Sequence, residues 1–211
     1  MTSGAGRGVV VVVDDDAGVR QMISRMVRSV GLRVETYGSV QEFLDLYDPR
    51  QAGCLVLDVR MPGQSGLDLQ ERLAALEVPL PIIFITGHGD IAMGVRAMKR
   101  GALDFIEKPF QDQVLLDAIH AALTRATEMH DVAQARDDAR QRLATLTPRE
   151  REVLALVVDG LANKQIAARL GTAEQTIKMH RGRLMRKMGA DSLPALVRLA
   201  QLGGVAADPR R

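Results

Sequence analysis

Short runs of residues typical of β-strands alternate with helix-length segments over the first part of the chain. The runs span residues 9–13, 33–36, 54–57, 81–86 and 103–107. Strands that alternate with helices in this way predict an open α/β domain built on a parallel sheet. The first and fourth runs are the most continuously apolar, so we expect them to be central strands that are buried on both faces.

A long helical pattern follows this region. From about Gln111 apolar residues recur every three to four positions, and neither glycine nor proline interrupts the chain before Pro148. The stretch from about 130 to 142 is mostly polar on every face, which predicts a solvated linker helix. A coiled-coil dimer is the alternative, but it would place His130 and Asp137 where the seam needs apolar side chains.

Four short helices are predicted in the C-terminal part of the chain. The sequence Thr-Pro-Arg-Glu at 147–150 is a capping box that begins the first of them. Asn163 is the expected N-cap of a second helix, which ends at Gly171. The third runs from about 173 to 188, and Ser192 is the expected N-cap of the fourth. The second and third helices of this all-α module form a helix-turn-helix unit.

The composition is typical of a soluble protein with one or two domains: 211 residues, 46% of them apolar and 26% charged. The apolar runs are far shorter than the roughly 20 residues that cross a bilayer, and the N-terminal residues do not resemble a signal peptide. The single cysteine, Cys54, cannot form an intrachain disulfide and is expected to be a core thiol. We therefore expect a cytoplasmic protein with no membrane segment.

The net charge of +2 gives by itself no reason to expect a polyanionic partner, but it is unevenly distributed. Residues 1–124 carry 12 basic and 16 acidic side chains, residues 125–144 carry four of each, and residues 145–211 carry 12 basic and six acidic ones. Seven of the basic side chains lie between Lys164 and Lys187, on the predicted helix-turn-helix unit. This coincidence favours double-stranded DNA as the partner of the C-terminal module.

Polar side chains follow several predicted strands of the first domain. Residues 14–16 are three aspartates after the first strand, Asp58 follows the third, Thr86 the fourth and Lys108 the fifth. Ligands of open α/β sheets bind at the carboxyl ends of the strands, so these side chains form the candidate site. Asp16 has a simpler alternative role as a turn former or helix cap.

Carboxylates packed this closely destabilise a fold unless a cation neutralises them, and Mg²⁺ is the most plausible hard divalent ion. An aspartate beside such an ion is a potential nucleophile towards phosphorus, because it can form an acyl phosphate. The ammonium group of Lys108 and the hydroxyl group of Thr86 would then stabilise charge on the transferred group.

These residues resemble those of the two-component response regulators of the FixJ type. The matching strings are Val-Asp-Asp-Asp at 13–16, Leu-Asp-Val-Arg-Met-Pro-Gly at 57–63, Ile-Thr-Gly-His-Gly-Asp at 85–90 and Phe-Ile-Glu-Lys-Pro-Phe at 105–110. The resemblance covers the whole first domain and implies a flavodoxin-like receiver with a five-stranded parallel sheet in the order 2-1-3-4-5.

The resemblance also implies roles for individual residues. Asp58 takes a phosphoryl group from a sensor histidine kinase, and Lys108 and Thr86 hold the phosphoryl oxygens. The ligands of Mg²⁺ are Asp14, Asp15, Asp58 and the backbone carbonyl of Arg60. Phe105 occupies the position of the switch aromatic that acts with Thr86, and His88 a position that tunes the lifetime of the aspartyl phosphate.

Residues 146–200 resemble the LuxR-type helix-turn-helix domains. The matching strings are Leu-Thr-Pro-Arg-Glu-Arg-Glu-Val-Leu at 146–154, Gly-Leu-Ala-Asn-Lys-Gln-Ile-Ala at 160–167 and Thr-Ile-Lys-Met-His-Arg at 176–181. In the third helix Ile177, Leu184 and Met188 share one face and should be core. We place the opposite face in the major groove; its residues are Gln175, Lys178, Met179, Gly182 and Arg186. The side chains expected to hold phosphates are Lys164, Thr176, His180, Arg181, Arg183 and Lys187.

Two positions depart from the LuxR-type pattern. The family usually has serine where this chain has Ala173, so either Thr172 caps the recognition helix or the helix begins slightly differently. Gly182 lies inside the helix at a cost of roughly 1 kcal/mol relative to alanine, and we expect a close approach to DNA there. The apolar stripe of the fourth helix, which the resemblance identifies with the dimer surface on DNA, consists of Leu193, Leu196, Val197 and Ala200.

The sequence thus predicts a receiver at 1–124, a linker helix at 125–144 and a DNA-binding domain at 145–211. We expect a non-enzymatic regulator of transcription that is phosphorylated on Asp58, forms a homodimer, and binds promoter DNA and RNA polymerase. One alternative is a DNA-binding protein whose receiver is only a structural, phosphorylation-independent dimeriser. The other is an aspartate-nucleophile phosphatase, against which Arg60 stands where such enzymes commonly have a second aspartate.

Overall fold

The computed structural model describes most of the chain. The chain divides into two compact units, Met1–His130 and Asp131–Arg211. The described residues are 8–48, 51, 53–76, 78, 80–87 and 91–205. The domain limits expected at 124 and 144 stay predictions.

The first unit is a parallel α/β sheet. Its strands, in the order β2-β1-β3-β4-β5 implied by the receiver resemblance, are β1 (Val9–Val13), β2 (Arg33–Tyr37), β3 (Gly53–Asp58), β4 (Ile82–Thr86) and β5 (Asp104–Glu107). The helices between and after them are α1 (Ala17–Ser29), α2 (Val40–Leu46), α3 (Gly66–Ala75), α4 (Ile91–Lys99) and α5 (Asp112–Ala144). The predicted fold class is confirmed.

The valine run of β1 forms the centre of this sheet. Val9, Val11 and Val13 pack into the core on one side, and Val10 and Val12 pack into the core on the other. Successive side chains of a strand point to opposite faces, so a run of five apolar residues is buried only where both faces are covered. The prediction that the first and fourth runs are central strands is confirmed for β1 and β4.

A glycine allows α3 to begin close to the end of β3. A Cβ atom on Gly66 would overlap the backbone oxygen of Asp58 and approach the ring of Phe84 to 3.1 Å. The backbone N–H of Gly66 donates a hydrogen bond to the carbonyl of Val59 (3.0 Å). The turn after β3 is therefore held tightly at the carboxyl edge of the sheet, where Asp58 lies.

The second unit contains the end of α5 and the helices α6 (Pro148–Val158), α7 (Asn163–Arg169), α8 (Glu174–Met188) and α9 (Leu193–Leu202). These helices enclose a separate apolar core. The predicted capping box at Thr147 and Glu150 is present, and Ser192 caps α9 as expected. Among the helices of the described residues, none is both long and apolar enough to span a membrane.

The start of α7 corrects one prediction. Asn163 is the first residue of the helix, and Ala162 occupies the N-cap, where its backbone N–H donates to Oε1 of Gln165 (2.8 Å). The side chain of Asn163 has another partner, because its Oδ1 accepts a hydrogen bond from Nη1 of Arg181 in α8 (2.6 Å).

The start of α8 resolves the alternatives left by its missing serine. The helix begins at Glu174, and Ala173, not Thr172, is the N-cap residue, which has no side chain able to accept a hydrogen bond.

Candidate functional sites

Three carboxylates meet at the carboxyl edge of the sheet. Asp14, Asp15 and Asp58 each present an oxygen atom, and these atoms lie within 4.8 Å of one another. Asp14 is fully buried and Asp58 is 7% exposed, whereas Asp15 faces solvent. The structure therefore brings together the aspartates that were predicted to hold Mg²⁺.

Lys108 supplies the positive charge of this cluster. Its Nζ donates to Oδ2 of Asp14 (2.6 Å) and to Oδ1 of Asp58 (3.3 Å). Partial burial alone would lower the pKa of Lys108, but the hydrogen bonds and attraction to the two aspartates prevail and raise it. The lysine therefore stays protonated in the pocket.

Burial dominates the environment of Asp58. It raises the pKa of the carboxyl group, and the nearby negative charge of Asp14 raises it further, while Lys108 acts in the opposite direction. A carboxylate with so little solvation is poorly shielded from an approaching electrophile. The carboxylate of Asp58 is therefore chemically suited to act as a nucleophile when a cation offsets the negative charge of the pocket.

Asp16 takes the simpler of its two predicted roles. Its Oδ1 accepts hydrogen bonds from the backbone N–H groups of Gly18 (2.7 Å) and Val19 (3.3 Å), so it caps α1. Its own backbone N–H donates to Oδ1 of Asp14 (2.8 Å). Asp16 thus orients Asp14 through the backbone and lies outside the carboxylate cluster.

The two predicted switch residues lie on neighbouring strands. Thr86 is buried at the end of β4, and its carbonyl accepts a hydrogen bond from the backbone N–H of Lys108 (2.7 Å). Phe105 is half-buried in β5, and a Cβ on Gly94 of α4 would come within 3.3 Å of its ring. Phe105 therefore connects the strand to α4. Arg60 is exposed just beyond β3, and His88 lies outside the described residues.

In the second unit, α8 has one buried and one exposed face. Ile177, Leu184 and Met188 are fully buried, which confirms their prediction as core. The exposed positions of the helix include Gln175, Lys178, Met179, Gly182, Arg183 and Arg186. Lys164 is exposed on α7. The exposed positions of α8 thus carry more basic than acidic side chains, with Glu174 as the exposed acid.

Four of the side chains predicted to hold phosphates are bonded to other residues of the chain or are partly buried. Arg181 is bonded to Asn163, Nδ1 of His180 is buried and has no hydrogen-bond partner in the structure, and Thr176 is half-buried. Nζ of Lys187 donates to Oε2 of Glu150 (2.6 Å) and to the carbonyl of Thr145 (3.1 Å). The pairing of Lys187 with Glu150 leaves no signal in the sequence, because the two residues are 37 positions apart.

The apolar stripe of α9 is divided between core and surface. Leu196 and Ala200 are buried in the core of the second unit, whereas Val197 is half-buried and Leu193 is exposed. The exposed part of the stripe therefore consists of Leu193 and Val197.

Comparisons with known proteins find relatives for both parts of the chain. Residues 10–120 match the response regulator receiver domains, and residues 144–200 match the luxR family of bacterial regulatory proteins. Nodulation protein W of Bradyrhizobium diazoefficiens is 49% identical over 98% of this chain and 91% of its own length. The transcriptional regulatory protein FixJ of Azorhizobium caulinodans is 47% identical over 92% of each chain.

Solved structures show the same two-part similarity. The response regulator StyR has a TM-score of 0.81 and 49% identity, with 92% of this chain and 98% of StyR covered. Full-length FixJ from B. japonicum has a TM-score of 0.56 and 40% identity, with 96% of this chain and all of FixJ covered.

Proposed function

The chain belongs to the response regulators that join a receiver domain to a LuxR-type DNA-binding domain, and from this premise we propose that phosphorylation of Asp58 by a sensor histidine kinase controls its binding to promoter DNA. The observation that carries the proposal is the convergence of Asp14, Asp15, Asp58 and Lys108 at one edge of the sheet.

The chemistry at Asp58 is a phosphoryl transfer. One carboxylate oxygen forms a bond to phosphorus while the bond from phosphorus to the imidazole nitrogen of the kinase breaks, and the imidazole leaves with the electron pair. Lys108 is already bonded to Asp58 and can move onto the phosphoryl oxygens as they arrive. The hydroxyl of Thr86, at the end of the adjacent strand, is the second donor.

The residues present fit a magnesium ion. The cluster contains three carboxylates, and the ammonium group of Lys108 pairs with two of them, Asp14 and Asp58. The cluster therefore keeps an excess of negative charge that a hard divalent cation with oxygen ligands would balance. Asp14, Asp15 and Asp58 would hold the ion, with the backbone carbonyl of Arg60 as a further ligand. When bound, Mg²⁺ supplies positive charge that offsets the charge of the phosphoryl oxygens.

The exposed basic face of α8 supports the DNA-binding part of the proposal. Lys178, Arg183 and Arg186 are exposed on one helix whose opposite face is core. We propose that this face enters the major groove, and that Gln175, Met179 and Gly182 lie beside the bases. The protein would then regulate transcription together with RNA polymerase in the cytoplasm.

An apolar stripe on α4 supports dimerisation of the receiver. Ile91, Val95 and Met98 recur at helical spacing and are all exposed, Ile91 by 85%. Phe105 packs against the same helix at Gly94, so a rearrangement at Thr86 and Phe105 would reach this surface. We propose that phosphorylation shifts the receiver to a state in which a second copy covers the stripe. On DNA, Leu193 and Val197 of α9 would add to the contact.

The proposal is tested by labelling the purified chain with radioactive acetyl phosphate in the presence of Mg²⁺. The wild-type chain and Asp16→Asn, whose side chain can still cap α1, should take up label, whereas Asp58→Asn should take up none. Uptake by Asp58→Asn would show that another residue is the phosphoacceptor. Equal DNA affinity of the phosphorylated and unphosphorylated chains would favour a receiver that is only structural.

A further inference from the structure

The last turn of α8 is tied to the junction between α5 and α6 by two basic side chains. Lys187 donates from its Nζ to the buried carboxylate of Glu150 (2.6 Å) and to the carbonyl of Thr145 (3.1 Å). Arg142, near the end of α5, donates from Nη1 to the carbonyl of Met188, the last residue of α8 (2.7 Å). We call Arg142, Glu150 and Lys187 the α8 clamp.

The burial of Glu150 favours its pairing with Lys187, whose own side chain is 35% exposed. Only 3% of Glu150 is exposed, and Oε2 also accepts the backbone N–H of Thr147 (2.9 Å) as part of the capping box of α6. The hydrogen bond from Lys187 is the largest cause that lowers the pKa of Glu150, to about 2. If Lys187 turned away towards a phosphate, it would leave a buried carboxylate without its cation.

Arg142 holds the other side of the same turn. The carbonyl groups at the end of a helix carry partial negative charge and have no partner within the helix, so a guanidinium group there stabilises the helix end. Gly189 makes room for it: the residue has a φ of +66°, and a Cβ atom there would lie 2.5 Å from Nη1 of Arg142. The positive φ favours glycine at this position, and the missing Cβ leaves room for the guanidinium group.

The position of this turn determines where the other end of α8 lies. The helix has 15 residues and is therefore about 22 Å long. A tilt of about 10° at its C-terminal end would move the first residue of the helix by about 4 Å, and Lys178, ten residues from the C-terminal end, by about 3 Å. Hydrogen bonds to base edges tolerate only a few tenths of an ångström.

From this geometry we propose that Arg142 and Lys187 are positioning residues for DNA recognition: they orient α8, and Lys187 does not contact phosphate. The inference rests on the proposed DNA-binding function, and it replaces the phosphate role predicted for Lys187. It also assigns a part in DNA recognition to Glu150, a buried acidic residue that the sequence marks only as a member of a capping box.

The test compares full-length variants, all activated with beryllofluoride as a phosphoryl mimic, for binding to a duplex that the activated wild-type chain enriches from a random pool, over a range of salt concentrations. Lys187→Gln and Glu150→Gln should each weaken binding about tenfold or more, while the slope of log affinity against log salt stays the same. The double variant should be no weaker than the singles, because they remove the same interaction. Arg198→Gln removes a charge from an exposed site of α9 and serves as the control.

Glu150→Gln distinguishes positioning from simple electrostatics. Removing a negative charge from a DNA-binding domain should strengthen binding if charge alone matters, whereas loss of the clamp should weaken it. Lys164→Gln, at a predicted phosphate contact, should reduce the salt slope by about 0.9. The proposal is overturned if Lys187→Gln shows that same reduction and Glu150→Gln binds as tightly as the wild type.

A measurement without DNA tests the α8 clamp independently of the proposed DNA-binding function. Amide hydrogen exchange along α8 should be faster in Arg142→Gln and Lys187→Gln than in the wild-type chain. Lys187→Arg keeps the cation and should therefore retain the slow exchange of the wild type. Thermal unfolding checks that each variant is folded. If the wild-type chain enriches no duplex even when activated with beryllofluoride, the DNA-binding function fails. Unchanged hydrogen exchange in α8 of the variants would contradict the clamp independently.

Discussion

At the scale of single residues, the receiver pocket has an excess of negative charge that one lysine partly balances. Asp14 is fully buried, Asp58 nearly so, and both are bonded to Lys108. Removing one partner of a buried ion pair leaves the other charges without compensation, which is more costly than the pair is stabilising. Lys108 therefore contributes to stability as well as to the proposed chemistry.

We expect Lys108→Ala to destabilise the first unit by about 3 kcal/mol in the absence of divalent ions, because two buried carboxylates lose their cation. Saturating Mg²⁺ should restore more stability to the variant than it adds to the wild type, since the ion then supplies the missing positive charge. Thermal unfolding with and without Mg²⁺ measures both effects. Equal stabilisation of the two proteins by Mg²⁺ would contradict a shared role of the ion and the lysine.

The residues of this pocket could be predicted from the sequence, but those of the α8 clamp could not. Asp14, Asp58 and Thr86 follow strands, and the carboxyl ends of parallel strands meet at one edge. No such rule brings Lys187 to Glu150, because their distance depends on how α6 packs against α8. Asn163 was assigned as a cap for the same reason: its partner Arg181 is on another helix.

At the scale of secondary-structure elements, the helix-turn-helix unit is built from weakly capped helices. The N-cap residues of α7 and α8 are alanines, which offer no side-chain acceptor to the first backbone N–H groups. Gly182 adds conformational freedom in the middle of α8, and a Cβ at this position would meet nothing within 4 Å. The helix is thus stabilised mainly by its buried face and its clamped end.

Gly182→Ala should separate helix stability from DNA recognition. Alanine is favoured over glycine by about 1 kcal/mol inside a helix, and no steric cost offsets the gain here. The variant should therefore melt at a higher temperature but bind the enriched duplex less tightly, because the added methyl group intrudes where we expect close approach to DNA. Gly189→Ala, with its positive φ, should melt lower. Unchanged DNA affinity of Gly182→Ala would place this position outside the interface.

At the scale of the whole molecule, acidic and basic groups are separated along the chain. Residues 1–124 have 16 acidic against 12 basic side chains, and residues 145–211 have 12 basic against six acidic ones. The net charge of +2 therefore conceals an acidic part and a basic part. The predicted division of the chain rests on the change from alternating strands and helices to helices alone, and the charge distribution follows it. The exposed apolar stripe of α4 became evident only in the structure.

The α4 stripe should be required for dimerisation on activation. With beryllofluoride as a phosphoryl mimic, the wild-type chain should increase in mass by analytical sedimentation, and Ile91→Asp should stay monomeric because it places charge in the interface. Leu46 of α2 is also a large apolar side chain on the surface, 66% exposed, and it lies outside the stripe. Leu46→Asp is therefore the matched control and should dimerise. A dimer of normal strength in Ile91→Asp would place the interface elsewhere.

The valine run of β1 has a consequence for the chain before it folds. Five consecutive β-branched residues without charge form an aggregation-prone segment whenever they are exposed on a nascent chain. The three aspartates that follow directly are gatekeepers, since their mutual repulsion opposes the stacking of such segments. We therefore expect a variant that replaces Asp14, Asp15 and Asp16 together to precipitate during expression, so that these aspartates serve the solubility of the nascent chain in addition to their positions in the folded first unit.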